Sequence, residues 1–547
     1  MASNKILASA AKSASYNMVL QIMFRMMTFV LNAFVLRYIS KEMLGVVNVR
    51  LTLLYSTILF VSREAFRRAC LSQGSLQQWQ QVINLLWCTF PLGILCGSIF
   101  GYMWVTFLEQ PDPNTVPHYS LAVVVFASSA ILELLAEPMW VLGQAMLFVK
   151  LKVIVEGLAI AGRCFLTVIL VLTAPHLGII GFCIAQLFYT LIYLGLYYTY
   201  FMWYVKNFGK KDEDFPIKSP SDFFPGQIQG QAWTSEELTK LTWSFFKQGF
   251  LKQLLTEGER YVMTFFDVLS FGDQGIYDVI NNLGSLAARF IFQPIEESGY
   301  LFFAQTLKRG VPVKDQPKDT IHLASQVYQC LLKCVVLIGV TILVFGYAYS
   351  YLLLDLYAGS LLSSGTGPTL LRWYCVYVLL IAINGTTECF VFAAMSQKDV
   401  DRYNHKMFVF SLFFLLSSWY LTKTIGSVGF ILANCFNMSA RILHSIYFTL
   451  NYYKDSSLHQ PLRGLLPSLP VVISFIASWV ITTISEVHLC CDRGVLYRIA
   501  HIAVGAFCLL VVAVMILLFE RELLSFIMEQ WKARRGESNE SKRTKDE

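Results

Sequence analysis

Apolar stretches of about twenty residues recur along almost the whole chain and are separated by short polar segments. A helix needs about 20 mostly apolar residues to cross the hydrocarbon core of a bilayer. Only 14% of the residues are charged, which excludes a soluble enzyme, a disordered scaffold and a disulfide-rich secreted module. The sequence therefore predicts an all-α polytopic membrane protein. We count fourteen transmembrane helices, at residues 17–39, 44–62, 82–107, 119–142, 151–172, 178–204, 241–269, 274–305, 327–354, 369–395, 403–423, 427–452, 466–487 and 496–519.

Lysine and arginine are distributed unequally between the loops that join these helices. They are concentrated in the N-terminal segment, the even-numbered loops and the C-terminal tail, whereas the odd-numbered loops hold few, namely Lys41, Lys423 and Arg493. Cytoplasmic loops of membrane proteins carry the excess of positive residues, so both termini are predicted to be cytoplasmic. A missed helix would invert every later loop and remove this asymmetry.

The chain also resembles itself. A shift of 230 residues places Gly45 on Gly275 and aligns helices one and two with helices seven and eight, and a shift of 248 places Gly181 on Gly429. Six helices in each unit give both units the same orientation, which is a parallel repeat about an axis along the membrane normal. We therefore predict an N-lobe at 1–204, a cytoplasmic linker at 205–240, a C-lobe at 241–453, two further helices within 454–530 and a charged cytoplasmic tail at 531–547.

Polar side chains interrupt five of the predicted helices at helical spacing, where they are costly unless they face a cavity or a partner. The stripes predict a hydrophilic cavity with a cationic lining between the two lobes. Their members are Gln21, Arg25, Thr28 and Asn32 in helix one; Asn48, Thr52, Tyr55, Arg63 and Arg67 in helix two; Gln248, Lys252, Thr256 and Glu259 in helix seven; Asn282, Ser285, Arg289, Gln293 and Glu296 in helix eight; and Asn434, Asn437, Arg441 and His444 in helix twelve.

The arginines of these stripes are the main candidates for a binding site. Arg25, Arg289 and Arg441 lie well inside predicted spans, where a charge is hard to explain by packing alone. Arg63 and Arg37 lie nearer the helix ends, and snorkelling toward the membrane surface is an equal alternative for both.

Four other charged or titratable positions are interpreted more simply. We select Glu259 as the partner of a cavity arginine, with structural pairing as the alternative. Glu64 and Arg68 are four residues apart and are expected to form a surface pair, and His444 is expected to be a packing residue.

An arginine-lined cavity suits an anionic diphosphate, because the guanidinium fork binds phosphate oxygens in pairs and keeps its charge when desolvated. The sequence contains no nucleotide-binding loop and no zinc-hydrolase or serine-hydrolase motif. We therefore expect a protein that is not an enzyme and that uses no cofactor, metal, nucleotide or nucleic acid.

Several long segments resemble the eukaryotic family of Man5GlcNAc2-PP-dolichol translocation proteins. The segments are residues 21–34, 63–70, 240–247, 257–263, 271–277 and 426–437, and the resemblance extends over essentially the whole chain. That family is part of the superfamily of multidrug, oligosaccharidyl-lipid and polysaccharide exporters, which includes the bacterial lipid II flippases. The resemblance implies an endoplasmic reticulum protein of N-glycan assembly, a two-lobed fold and alternating access.

The resemblance also implies roles for particular residues. Bacterial lipid II flippases have essential arginines in helices one, two and eight, and Arg25, Arg63 and Arg289 are the matching positions here. The expected function is transfer of dolichol-diphosphate-linked oligosaccharide between leaflets, with that glycolipid and membrane lipids as partners and protein partners left open. The alternatives are a glycolipid-binding chaperone that does not transport and an ion-coupled exporter of small molecules.

Overall fold

The computed structural model describes residues 20, 23–24, 26–72, 78–209, 215–227, 232–454, 461–491, 494–525 and 528. This part of the chain is largely α-helical and contains no β-strand. We number the helices by the predicted span that each matches and divide two of them. They are α1 (Met26–Val35), α2 (Lys41–Ser72), α3 (Trp79–Thr106), α4 (Tyr119–Ala145), α5 (Val149–Thr173), α6 (Ile179–Phe208), α7a (Glu236–Thr256), α7b (Gly258–Phe265), α8a (Phe271–Ala287), α8b (Gln293–Thr306), α9 (Lys318–Ala358), α10 (Gly367–Ala394), α11 (Gln397–Ile425), α12 (Val428–Tyr452), α13 (Leu469–Leu489) and α14 (Val495–Phe519).

Ten helices within the described residues are long and apolar enough to cross a membrane. The predicted spans outside this group are helices one, seven, eight and twelve, and all four carry polar residues at helical spacing. The chain is thus an all-helical, multi-pass membrane protein. The count of fourteen spans stays a prediction.

Three stretches of π-helix interrupt the described helices, and each contains an arginine. Two lie in α2, at Val46–Leu51 and Phe60–Glu64, and the third, Ala288–Phe292, joins α8a to α8b. They contain Arg50, Arg63 and Arg289 respectively. A π-turn inserts one extra residue into a helix, and such turns are frequent at functional sites.

The segment predicted as the inter-lobe linker is packed against the helices that precede it. Phe215 and Phe223 are almost fully buried, and both rings contact Phe201 of α6. The buried Asn84 side chain of α3 donates to the carbonyls of Gly226 and Trp233 and accepts from the backbone N–H of Gly226, at 2.8–2.9 Å. The described residues 215–227 and 232–233, which we call the strap, are therefore attached to α3 and α6.

The last two helices are attached to α9 by charged contacts. Lys333 of α9 donates to Glu520, just beyond α14, at 2.7 Å, and the backbone N–H of Ser468 donates to the same carboxylate at 2.6 Å. Burial alone raises the pKa of Glu520, but these donors outweigh it and hold the pKa of that carboxyl below its usual range. At the opposite end of α14, Arg498 pairs with Asp355 of α9 at 2.9 Å.

The chain divides into two compact units, residues 1–278 and 279–547. The boundary lies inside α8a, so the first unit contains α7a, α7b and the first residues of α8a. Local structure repeats where the 248-residue shift aligns two glycines: Gly178 before α6 and Gly426 before α12 both have positive φ, 51° and 70°. The layout of two related six-helix lobes stays a prediction.

Candidate functional site

A buried cluster of charges joins α2 and α4 within the first unit. Arg63 donates to Glu133 at 2.6 Å and to Glu137 at 3.3 Å. Arg67, one turn further along α2, binds both oxygens of Glu137, at 2.6 and 2.7 Å. Tyr55 donates to the second oxygen of Glu133. We call these five residues the Arg63 cluster.

The charges of the Arg63 cluster balance because two arginines face two glutamates. The glutamate side chains are almost fully buried, at 3% and 1% exposure. An ionised side chain in a low-dielectric interior requires an opposite charge and hydrogen bonds to its remaining atoms. The spacing provides this, since Arg63 and Arg67 on α2 and Glu133 and Glu137 on α4 are each four residues apart and so share a helix face.

The two arginines of the cluster differ in the N–H donors that remain available for a further acceptor. Both oxygens of Glu137 engage Arg67, whose guanidinium also lies 3.6 Å over the Trp140 ring. Within the described residues Arg63 donates through Nη1 alone, so Nε and Nη2 keep donors for another acceptor. Arg67 is therefore engaged by Glu137, whereas Arg63 keeps donors with which it can also bind an anion.

A second cluster lies between α10, α11 and α12 in the second unit. Glu388 of α10 is paired with Arg441 of α12 through two hydrogen bonds of 2.8 and 2.5 Å. Tyr403 and Asn384 donate to the same carboxylate at 2.5 and 3.2 Å. Four hydrogen bonds thus reach one buried carboxylate, and we call this group the Glu388 cluster.

Arg289 has neutral partners. Its guanidinium donates to the side-chain oxygens of Asn282 at 3.4 Å and of Ser285, both on the preceding turns of α8a. Within the described residues no carboxylate forms an ion pair with it, and its side chain is exposed at the surface of the second unit. Amide and hydroxyl oxygens orient the guanidinium without cancelling its charge, so Arg289 is suited to bind an anion.

The remaining predicted positions have different surroundings. Arg25 lies outside the described residues. Arg37 is exposed in the turn that follows α1. Glu259 of α7b accepts a hydrogen bond from Tyr277 at 2.7 Å. The neighbouring Arg260 pairs with Glu257 at 3.0 Å and with Asp278 at 2.9 Å.

Two of the arginines that were predicted to line a cationic cavity have acidic partners. Arg63 and Arg441 are both paired with glutamates, because an unpaired charge at these buried positions would be too costly. Two simpler expectations are confirmed: Arg68 pairs with Glu64 at 2.9 Å, and His444 stacks on Tyr403 with ring centroids 4.6 Å apart.

Sequence reasoning missed the carboxylates of both clusters. Glu133 and Glu137 lie inside a predicted span, and their spacing of four residues equals that of Arg63 and Arg67. Glu388 is likewise an acidic residue inside an apolar helix. Intramembrane carboxylates are rare and usually paired, so these positions were a usable signal. Arg50, buried in the first π-helical stretch, was also missed.

A comparison with protein-family models matches residues 9–530 to the family described as Rft protein. The chain belongs to the Rft family. Curated members of the Rft family with high similarity include proteins from Xenopus tropicalis and Mus musculus, 55% and 52% identical over 96% and 97% of this chain and 98% of their own length. A Saccharomyces cerevisiae member is 27% identical over 83% of this chain and 84% of its own length. All three are named Man(5)GlcNAc(2)-PP-dolichol translocation protein RFT1.

Solved structures show that this Rft-family chain has the fold of known transporters. It resembles the lipid II flippase MurJ in an inward closed conformation, with a TM-score of 0.62, 11% sequence identity and coverage of 93% of this chain and 99% of that one. An inward-facing multidrug resistance transporter of the MATE family gives a TM-score of 0.55 at 12% identity, covering 80% of this chain and 99% of that one. At such low identity the likeness concerns the fold alone.

Proposed function

We propose that this Rft-family chain moves Man5GlcNAc2-PP-dolichol from the cytoplasmic to the lumenal leaflet of the endoplasmic reticulum membrane. The observation that carries the proposal is the 55% identity, over 96% of the chain, to a relative named for this translocation. The loop charges support an orientation in which both termini are cytoplasmic.

The diphosphate is the part of this glycolipid that the described arginines suit best. Arg289 is exposed and has neutral partners, and Arg63 keeps donors that Glu133 and Glu137 do not use. We assign these two residues, together with Arg25, to the diphosphate. Arg37, Glu259 and Arg441 remain candidates for the lining of the diphosphate and oligosaccharide cavity.

The pairing of three buried carboxylates with arginines weighs against an exporter of cationic small molecules. Such a protein needs an acidic group that is available to a cation. Glu133, Glu137 and Glu388 instead each accept hydrogen bonds from an arginine. A glycolipid-binding chaperone would use the same arginines, so a transport assay has to separate these two functions.

The first test replaces arginines in cells that lack the endogenous protein. We expect Arg25→Ala, Arg63→Ala and Arg289→Ala each to reduce protein N-glycosylation strongly at near-normal abundance. Loss of one buried charge-assisted contact typically costs about 2–5 kcal/mol. Lysine at the same positions keeps the charge but loses the fork, and should restore activity only in part.

The matched control is Arg68→Ala, because Arg68 lies on the same helix and forms a half-exposed pair with Glu64. It should have little effect. Full activity of the three alanine variants at normal abundance would exclude the arginines from the site. Loss of the protein itself would assign them a structural role.

The second test separates transport from binding. The purified protein is reconstituted in liposomes with purified Man5GlcNAc2-PP-dolichol, and the glycolipid in each leaflet is measured over time. We expect transfer by the native protein, none above background by Arg289→Ala, and native transfer by Arg68→Ala. Tight binding without transfer by the native protein would favour the chaperone.

A further inference from the structure

Helix α2 and the start of α8a touch through their backbones at Gly45 and Gly275. A Cβ atom added to Gly45 would lie 1.8 Å from the carbonyl oxygen of Phe271 and 3.1 Å from the Gly275 nitrogen. A Cβ atom added to Gly275 would lie 2.6 Å from the Gly45 nitrogen and 2.7 Å from the carbonyl oxygen of Lys41. Only glycine fits at either position, since real Cβ atoms essentially never approach so closely.

This contact is reciprocal. Gly45 faces the carbonyl four residues before Gly275, and Gly275 faces the carbonyl four residues before Gly45. These are also the glycines that the 230-residue shift aligns. Equivalent positions meet each other in this way when they lie on a two-fold axis. The crossing therefore has the geometry expected at the axis of the predicted repeat.

Arg50, which follows Gly45 along α2, binds residues at the end of α7b and just beyond it. Its side chain is fully buried and donates to the Thr264 carbonyl at 2.9 Å and to the Asp267 carboxylate at 3.2 Å. Glu109, beyond the end of α3, lies 3.7 Å from the same guanidinium. The ring nitrogen of Trp104 donates to the backbone carbonyl of Arg50 at 3.1 Å. We call Arg50 with its acceptors on Thr264 and Asp267 the Arg50 latch.

The contacts at this crossing are of a kind that can break and re-form. Gly45 and Gly275 meet through backbone atoms, and the Arg50 guanidinium lies 5.0 Å over the Phe271 ring. The Asp267 and Glu109 carboxylates are about half exposed, at 51% and 49%. Water can therefore replace the charged contacts when the helices part. The segment that the latch holds, α7b, has only eight residues and is bounded by non-helical residues on both sides.

We propose that the crossing of Gly45 and Gly275, held by the Arg50 latch, is a gate that is closed in this structure and opens during transport. The gate lies near the loop between α1 and α2, which the loop charges place on the lumenal side. Its role in releasing the glycolipid to the lumen rests on the proposed function. The opening and closing of the gate can be measured on the protein without the glycolipid.

The first experiment locks the gate with a reversible disulfide. A Cβ atom added to Gly272 would lie 3.0 Å from the Cγ atom of Lys41, so the double variant Lys41→Cys/Gly272→Cys is within disulfide reach. We expect oxidation to crosslink the two positions and abolish glycolipid transfer in liposomes, and reduction to restore it. Each single variant should be insensitive to oxidation.

Full activity of the crosslinked double variant would overturn the gate. Failure to crosslink in the correctly folded protein would overturn the closed crossing itself. These outcomes differ from a failure of the proposed function, in which the native protein transfers no glycolipid although the double variant crosslinks normally.

The second experiment tests the latch without a transport assay. Thr57 lies further along α2, is buried, and contacts the Tyr261 hydroxyl of α7b at 2.9 Å. In oriented proteoliposomes we expect a membrane-impermeant thiol reagent on the lumenal side to label Thr57→Cys about tenfold faster when Arg50→Gln is added. Loss of a charge-assisted hydrogen bond raises the open population by about that factor. The cysteines of the native protein define the background rate.

The matched control for the latch is Arg68→Gln, which alters an arginine of the same helix that pairs with Glu64. Its labelling rate should equal that of Thr57→Cys alone. Equal rates for Arg50→Gln and Arg68→Gln would show that Arg50 serves packing and does not hold a gate.

Discussion

At the scale of single residues, three of the described helical arginines are bound to carboxylates on a neighbouring helix. Arg63 and Arg67 are held by α4, and Arg441 is held by α10. Arg289 is the contrasting case, since its partners are an amide and a hydroxyl of its own helix. Arginines in similar sequence surroundings therefore differ in their partners, which are carboxylates for Arg63 and neutral oxygens for Arg289.

The Glu388 cluster gives a prediction at this scale. Glu388→Ala leaves Arg441 as an unpaired buried charge, and we expect it to lower the free energy of unfolding by about 3–5 kcal/mol. The double variant Glu388→Ala/Arg441→Met removes both charges and should cost clearly less than the sum of the single variants. Thermal unfolding of the detergent-solubilised protein measures both effects.

The control for this cycle is Glu64→Ala, which breaks the half-exposed pair with Arg68 and should cost about 0–1 kcal/mol. Additive losses in the Glu388 and Arg441 variants would contradict the coupling of these two residues.

At the scale of elements, irregularities in the helices coincide with their functional candidates. The π-helical stretches of α2 and of the α8a–α8b junction contain Arg50, Arg63 and Arg289. An inserted residue rotates everything beyond it around the helix axis, so such a turn changes which side chains share a face. The strap is held against α3, because the Asn84 side chain binds its backbone at two positions.

The strap provides the prediction at this scale. Asn84→Ala removes three hydrogen bonds and leaves backbone groups of Gly226 and Trp233 unpaired. We expect faster proteolytic cleavage within residues 205–240, measured by limited digestion in microsomes from the cytoplasmic side.

Gln80→Ala is the control for the strap. Gln80 contributes one exposed hydrogen bond to the strap, to the Phe224 carbonyl at 3.0 Å, and donates to the Asn84 side chain at 3.3 Å. Its loss leaves the bonds of Asn84 to the strap in place and should change cleavage much less. Equal cleavage of the native and Asn84→Ala proteins would show that other contacts, such as the buried Phe215 and Phe223, suffice to hold the strap.

At the scale of the whole molecule, the orientation of the chain is a prediction from the loop charges and the expected count of fourteen spans. Asn114, between α3 and α4, and Lys314, between α8b and α9, are both exposed in the structure. We expect a glycosylation acceptor inserted at Asn114 to be modified and one inserted at Lys314 to remain unmodified. Gel mobility before and after glycosidase treatment measures this, and the reverse pattern would overturn the count or the orientation.

The sequence by itself determined the helical membrane class, the approximate positions of the helices and the family. These depend on hydropathy, helical periodicity and identity along the chain, all of which are local properties. In the predicted repeat, the sequence also aligned Gly45 with Gly275. It did not show that they touch, because a repeat defines equivalence and not distance.

Only the tertiary structure decided which charges are paired. The spacing of Arg63 and Arg67 placed them on one face of α2, but the neutralising partner lies on α4, some 70 residues further along the chain. Periodicity says which residues share a face and nothing about the helix that packs against it. The same reason explains why Arg50, whose acceptors lie more than 210 residues away, was missed.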